Sequence, residues 1–249
     1  MNAAADRTAA VSVPDVHLDL GCGKRPRNPY RRARVCGVDI RALSSSSDFE
    51  FRAANLNVDP IPYPDHHFGS ISAFDFIEHV PRILGSADGR STAFPFIRLM
   101  NEAWRVLAPG GRLYAVTPAY PHAEAFQDPT HVNIITERTH EYFCGDNPLG
   151  RMYGFTGHFV VRRAEWVRLH ESFIAASSVR VAAAPAPTVR ALPWHKHIAR
   201  AVRDFGRRLR GKRPVKPTEA APERLMYFLW ELEAVKTAAP TPRRPDENA

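Results

Sequence analysis

Cysteine is scarce in this chain: three among 249 residues, Cys22, Cys36 and Cys144, at irregular spacing. Such a set makes neither a disulfide framework nor a zinc pattern, and it fits small buried residues in a reducing compartment. No run of about 18 apolar residues is present, so no membrane-spanning helix is expected. The first residues lack the charged-then-apolar layout of a signal peptide. Acidic residues are the minority, 26 against 34 Lys and Arg, for a net charge of +8. That surplus is local. Residues 190–216 hold ten Lys and Arg and one acid, Asp204, giving +9, so the rest of the chain sums to −1. The main body is therefore close to neutral, and nucleic-acid binding has only one segment to rest on.

What is present is an ordinary globular composition, 44% apolar, in a length that suits one domain with insertions. The most informative stretch is His17-Leu18-Asp19-Leu20-Gly21-Cys22-Gly23-Lys24, followed by Cys36-Gly37-Val38-Asp39-Ile40. An apolar strand enters a glycine turn, and a second strand ends in an acid about 20 residues after the first acid. In an open α/β sheet this arrangement holds a nucleoside-bearing cofactor: the glycines admit the ligand to the backbone, and the acid accepts from two ribose hydroxyls. The third glycine of the dinucleotide fingerprint is missing, with Pro26 in its place. A cofactor without a pyrophosphate fits better, and S-adenosylmethionine (SAM) is such a cofactor. Taken alone, a Gly-Cys-Gly turn equally suits a tight connection.

Further motifs follow in order. Asn55-Leu56-Asn57 precedes Ile61-Pro62-Tyr63-Pro64-Asp65. Ile71 to Phe74 lead into Asp75-Phe76-Ile77-Glu78-His79-Val80. Asn101-Glu102-Ala103-Trp104-Arg105-Val106-Leu107-Ala108-Pro109-Gly110-Gly111 closes the series. Together with the glycine turn, this set resembles the class I SAM-dependent methyltransferases. The stretch from Gly21 to Tyr30, with its two prolines, and the block Phe126-Gln127-Asp128-Pro129-Thr130-His131 are similar to a subset of that family met in surface-glycan gene sets. The resemblance implies a three-layer α/β Rossmann-like sandwich, whose seven-stranded, mostly parallel sheet carries an antiparallel last strand. It also implies that Asp19, Gly21 and Gly23 line the methionine moiety of SAM and that Asp39 holds the ribose. Asn55 stands where the family has an acid that accepts from the adenine amino group. Cys22, Ile40, Leu56 and Phe74 complete the implied cofactor site.

Strands are predicted at about 16–20, 35–39, 50–54, 69–74, 112–117, 158–170 and 225–235. A helix is predicted over 94–107, where Phe96, Leu99, Met100, Ala103, Trp104 and Leu107 share one stripe. The prolines at 26 and 29 predict a short or displaced helix after the first strand. Residues 1–14 are expected to be a disordered lead, 15–236 the methyltransferase domain and 237–249 a disordered tail. Within the domain, 118–157 is rich in His, Pro, Tyr and Phe and follows the strand end where ligands bind, so it is expected to hold the acceptor. Residues 190–217 form a basic insertion. Trp194, Ile198, Val202, Phe205 and Leu209 recur at helical spacing against an arginine face, which suits a lid on the domain or contact with an anionic membrane.

Methyl transfer to a hydroxyl needs a base. His131, with Asp128 three residues earlier, is the first candidate, and His79 is the second. A histidine that bonds loop backbone and an aspartate that caps a turn are the plain alternatives. Glu78, Asp128 and His131 lack diagnostic ligand spacing, so no metal is expected. Amino-group methyltransferases of nucleic acid carry a Pro-Pro-aromatic sequence where this chain has Phe74-Asp75-Phe76-Ile77, and no cysteine follows a proline as cytosine-C5 chemistry requires. The sequence thus reads as a cytoplasmic enzyme, with the inner membrane face as a possible contact. It would transfer methyl from SAM to a hydroxyl of a small molecule or glycan intermediate. An RNA methyltransferase and a catalytically silent SAM-fold binding protein are the alternatives.

Overall fold

A computed structural model of the chain describes residues 13–43, 48–168 and 225–236. The expectations for 1–12, 169–224 and 237–249, including the basic insertion, lie outside the described residues. Seven strands form one sheet: β1 (Val16–Leu20), β2 (Arg34–Asp39), β3 (Glu50–Ala53), β4 (Phe68–Phe74), β7 (Leu107–Pro118), β8 (Phe159–Val167) and β9 (Tyr227–Ala234). Their order is β3-β2-β1-β4-β7-β9-β8. The first five run parallel, and β9 lies antiparallel to both of its neighbours. Order reverses at β1 and β4, so the crevice of this open sheet lies beyond the carboxyl ends of those two strands. A two-stranded hairpin, β5 (Leu84–Gly85) and β6 (Thr92–Ala93), forms a separate small sheet.

Helix α1 (Pro95–Val106) starts with proline at its first turn and buries Phe96, Leu99, Met100, Ala103 and Val106 against the sheet. Those residues meet Leu18, Leu20, Ile71, Leu113, Phe228, Trp230 and Leu232 in the main core. Alternation along each strand puts the intervening residues on the other face. There His17, Asp19, Ser70 and Ser72 are fully buried, while Phe74, Tyr114, Val116 and Leu229 form a small second cluster. Among the described residues, α1 is the only helix longer than a turn, apart from the four-residue α2 (Glu124–Gln127). The 21–33 connection makes no helix. It lays Arg27 over the Phe74 ring and Tyr30 edge-on to Tyr114, so a proline-bearing loop covers this face where a helix was expected. The two apolar runs of 158–170 form one continuous strand, β8.

Candidate active site

The turn after β1 is held to the end of β2 by its own backbone. Gly21 and Cys22 both donate N–H bonds to the Val38 carbonyl, at 2.8 and 3.1 Å. Gly21 and Gly23 sit at φ +66° and +54°, a region that a side chain disfavours. A Cβ on Gly21 would stand 2.6 Å from the Phe76 ring. The turn therefore needs glycine both for its conformation and for the ring above it. Phe76 is a contributor that the sequence motifs did not point to. Its signal was only its place, two residues past β4, beside a turn without side chains.

Asp39 ends β2 with its carboxylate over this turn. It accepts from the Gly23 amide at 3.0 Å and from the Arg41 amide, Nε and Nη2 at 2.9–3.0 Å. The Arg41 side-chain hydrogen bond is the main reason its pKa falls to about 2. Asp39 is thus a fixed anion, and Arg41 occupies the directions in which a ribose diol would donate. Ile40, beside it, is 64% exposed, as a residue laid against a flat base would be. Asn55 accepts from the Asn57 amide at 3.1 Å and so shapes its own turn, while Leu56 is buried beneath it.

Three expected cofactor residues face the interior instead. Asp19 is fully buried and accepts from Ser72 Oγ at 2.6 Å and the Arg27 amide at 2.8 Å. Desolvation raises its pKa to about 6. Cys22 is buried, and burial pushes its thiol up to about 12. Phe74 packs in the second cluster under Arg27. Strand register explains Asp19 and Phe74: both alternate into the face opposite α1. Cys22 lies in the turn, with its sulfur packed against Gly37 of β2.

Beyond β4 the chain makes a 3-10 turn over Ile77–His79. The segment 118–157 folds back onto it: Asn133 donates its backbone N–H to the Glu78 carbonyl and its side-chain amide to the Ile77 carbonyl, both at 2.9 Å. This brings His131 beside His79, with ring centroids 4.8 Å apart at 74°. The expected Asp128–His131 pair does not form. Asp128 Oδ1 instead accepts from Thr130 Oγ1 at 2.7 Å, and Thr130 Oγ1 lies 2.9 Å from His79 Nδ1. The threonine proton is committed to Asp128, so His79 Nδ1 donates to the threonine oxygen. His131 Nδ1 is 3.3 Å from the Ala125 carbonyl, which can only accept. These partners assign the Nδ1–H tautomer to both rings, so that in its neutral form each leaves Nε2 as the acceptor.

Glu78 completes the group. It is 1% exposed; Oε2 accepts from Thr117 at 2.9 Å, and Oε1 has no hydrogen-bond partner. Desolvation raises its pKa to about 8, which the nearby Phe76 and Glu78 amides and Thr117 offset only in part. One ligand-capable atom from each of Glu78, His79 and His131 lies within 4.8 Å of the others. The segment 118–157 also supplies Thr136, Arg138, Tyr142 and Tyr153 to an open cavity of about 430 Å³, lined on the other side by Arg82 and Phe96; none of Glu78, His79 and His131 lines it. Arg82 ties the two regions together by donating to Asn133 Oδ1 at 2.7 Å.

Residues 18–115 match the sequence model described as a methyltransferase domain. No curated protein sequence matches the chain significantly. Among solved structures, a SAM-dependent methyltransferase from Archaeoglobus fulgidus is 12% identical, with 88% of this chain and 86% of that one covered, at a TM-score of 0.43. A SAM-dependent methyltransferase from Mesorhizobium loti is 14% identical, with 87% and 89% covered, at 0.41. A geranyl diphosphate methyltransferase in complex with SAM is 14% identical, with 92% and 81% covered, at 0.40. With the strand order already described, the sequence match makes residues 18–115 a class I SAM-dependent methyltransferase domain, and SAM is its cofactor.

Proposed function

We propose that this methyltransferase acts on a hydroxyl group of a small molecule or glycan intermediate. The observation that carries the reading is the Glu78–His79–His131 group, two imidazoles and one carboxyl oxygen without a hydrogen-bond partner, assembled just beyond the end of β4. An alcohol is a poor nucleophile until its proton has somewhere to go, and such a group receives it. SAM, when bound, supplies an electrophilic methyl on a sulfonium.

The chain's own residues do the rest. Gly21 and Gly23 admit the cofactor to the backbone. Asp39 holds the ribose, and Arg41 yields or shares its hydrogen bonds as the hydroxyls arrive. Phe76 packs over the turn and limits water there. Residues from 118–157 seat the acceptor, with the aromatic cavity beside Arg82 taking its apolar part. Holding the two reactants in line contributes about 7–11 kcal/mol by proximity alone. The acceptor proton passes to His131 or His79, whose Nδ1 partners fix both rings.

The test is turnover of SAM to S-adenosylhomocysteine with matched acceptors that differ only in hydroxyl or amine. Hydroxyl-dependent release, lowered ~10²-fold or more in His131→Ala with SAM affinity nearly intact, is expected. Turnover on amines alone overturns hydroxyl transfer. A fall of less than about threefold makes His131 structural and moves the base to His79.

A further inference from the structure

We propose that Glu78, His79 and His131 bind one divalent first-row cation. The geometry brings a buried carboxyl and two imidazoles to one point. Glu78 Oε1 is buried without a hydrogen-bond partner, and each imidazole is anchored through Nδ1, to Thr130 on one side and to the Ala125 carbonyl on the other, which leaves Nε2 for a ligand in the neutral ring. One ligand-capable atom of each residue lies within 4.8 Å of the others. Three acceptors facing each other repel unless a cation or a proton stands among them. Among the described residues no Lys or Arg makes an ion pair with Glu78, nor with the nearby Asp75 and Asp128.

The surroundings are those of a metal ligand set. A ligating imidazole donates its other N–H to a carbonyl or to a carboxylate-linked group, which fixes the ring. Asp128 through Thr130 does this for His79, and the Ala125 carbonyl does it for His131. Metal–ligand bonds of about 2.1 Å put ligand atoms about 3.4 Å apart, so the present spacing closes by side-chain rotation. Two imidazoles and one carboxylate suit Mn2+ or Zn2+ better than Mg2+ or Ca2+, which prefer oxygen. Three protein ligands leave coordination positions open towards the acceptor.

The chemical consequence rests on the hydroxyl-transfer reading. A hydroxyl on the cation loses its proton to solvent near neutral pH. Its oxygen lone pair then forms the bond to the methyl carbon as the carbon–sulfur bond breaks, and that electron pair stays on sulfur. Alcohol and SAM give methyl ether, S-adenosylhomocysteine and one proton. In this mode the histidines hold the metal, and the proton never resides on them.

Calorimetry with Mn2+ and with Zn2+ alone, on chelator-treated full-length protein, tests the site without any acceptor. One cation per chain is expected, with affinity reduced at least tenfold in His79→Ala, His131→Ala and Glu78→Gln. Nitrogen couplings in the electron spin resonance of bound Mn2+ should vanish in the double histidine variant. If Glu78→Gln fails to fold, the partly exposed histidines carry the test. Binding absent for both ions, or unchanged by all substitutions, overturns the site. If binding is absent while His131→Ala still abolishes turnover, the histidine acts as base, and hydroxyl transfer stands without a metal.

Discussion

At the scale of single residues, the structure separates contact with a ligand from support for it. Asp39 is the one motif carboxylate held over the glycine turn and also reachable from the crevice. Replacing it with alanine should weaken SAM binding by ~1.5–3 kcal/mol, the range for hydrogen bonds to a charged group. Calorimetry on the folded variant checks this, and unchanged affinity would remove Asp39 from the site. Asp19 carries an equally prominent place in the sequence, but its oxygens are committed to Ser72 and the Arg27 amide. Residue spacing shows that an acid is needed at each strand end. It does not show which face of the sheet the acid points to when both faces are buried. For the same reason Phe74 is expected at the turn, whereas it packs in the second cluster and the Phe76 ring lies over Gly21. The histidine pair is a different case. His79 and His131 are 52 residues apart, and only the Asn133 bonds to the Ile77–Glu78 backbone bring them together.

At the scale of elements, the strands, α1 and the glycine turn were legible because alternation and helical stripes are local signals. The connections were less so. The helix-free 21–33 loop follows from tertiary packing, with Arg27 over the Phe74 ring and Tyr30 edge-on to Tyr114. One pair of motifs gains a new meaning. Glu102 and Arg105 on α1 are joined at 2.7–2.8 Å. Arg105 also reaches the Tyr63 and Ile61 carbonyls and Asp65, and Glu102 accepts the Ile61 amide. These residues belong to the two blocks that carried much of the family resemblance, and they pin the 61–65 loop to the helix. Arg105→Ala should therefore cost roughly 2–3 kcal/mol of stability, since it removes several charged hydrogen bonds at once. Its effect on SAM affinity should be small. Urea unfolding alongside SAM titration separates these. A large loss of affinity with unchanged stability would place the network in the site instead.

At the scale of the whole molecule, the fold carries a buried polar line across the face opposite α1. Ser70 Oγ lies 2.8 Å from His17 Nδ1, and His17 Nε2 lies 2.8 Å from Ser72 Oγ. Ser72 gives its proton to Asp19. With that proton committed, His17 Nε2 donates to Ser72, and in the neutral imidazole Nδ1 accepts from Ser70. Desolvation keeps the His17 pKa down at about 3, against an ordinary value of 6.5. The unfolded chain takes up this proton below about pH 6.5 and the folded chain does not, so acidification below that point costs stability. Asp19 acts in the opposite sense. Its pKa is raised to about 6 from an ordinary 3.8, so its folded form takes a proton first and stability returns as pH falls through 6 towards 4. The two contributions oppose each other over much of that window. Replacing His17 with glutamine should expose Asp19 alone. The stability advantage of the native chain over His17→Gln should then shrink by about 2 kcal/mol between pH 6.5 and pH 5, at ~1.4 kcal/mol per pH unit. Denaturant unfolding of both proteins across that range measures the difference, in which groups common to both cancel. A difference independent of pH would mean that His17 does not change its proton affinity on folding, and that the line from Ser70 to Asp19 tolerates a charged imidazole.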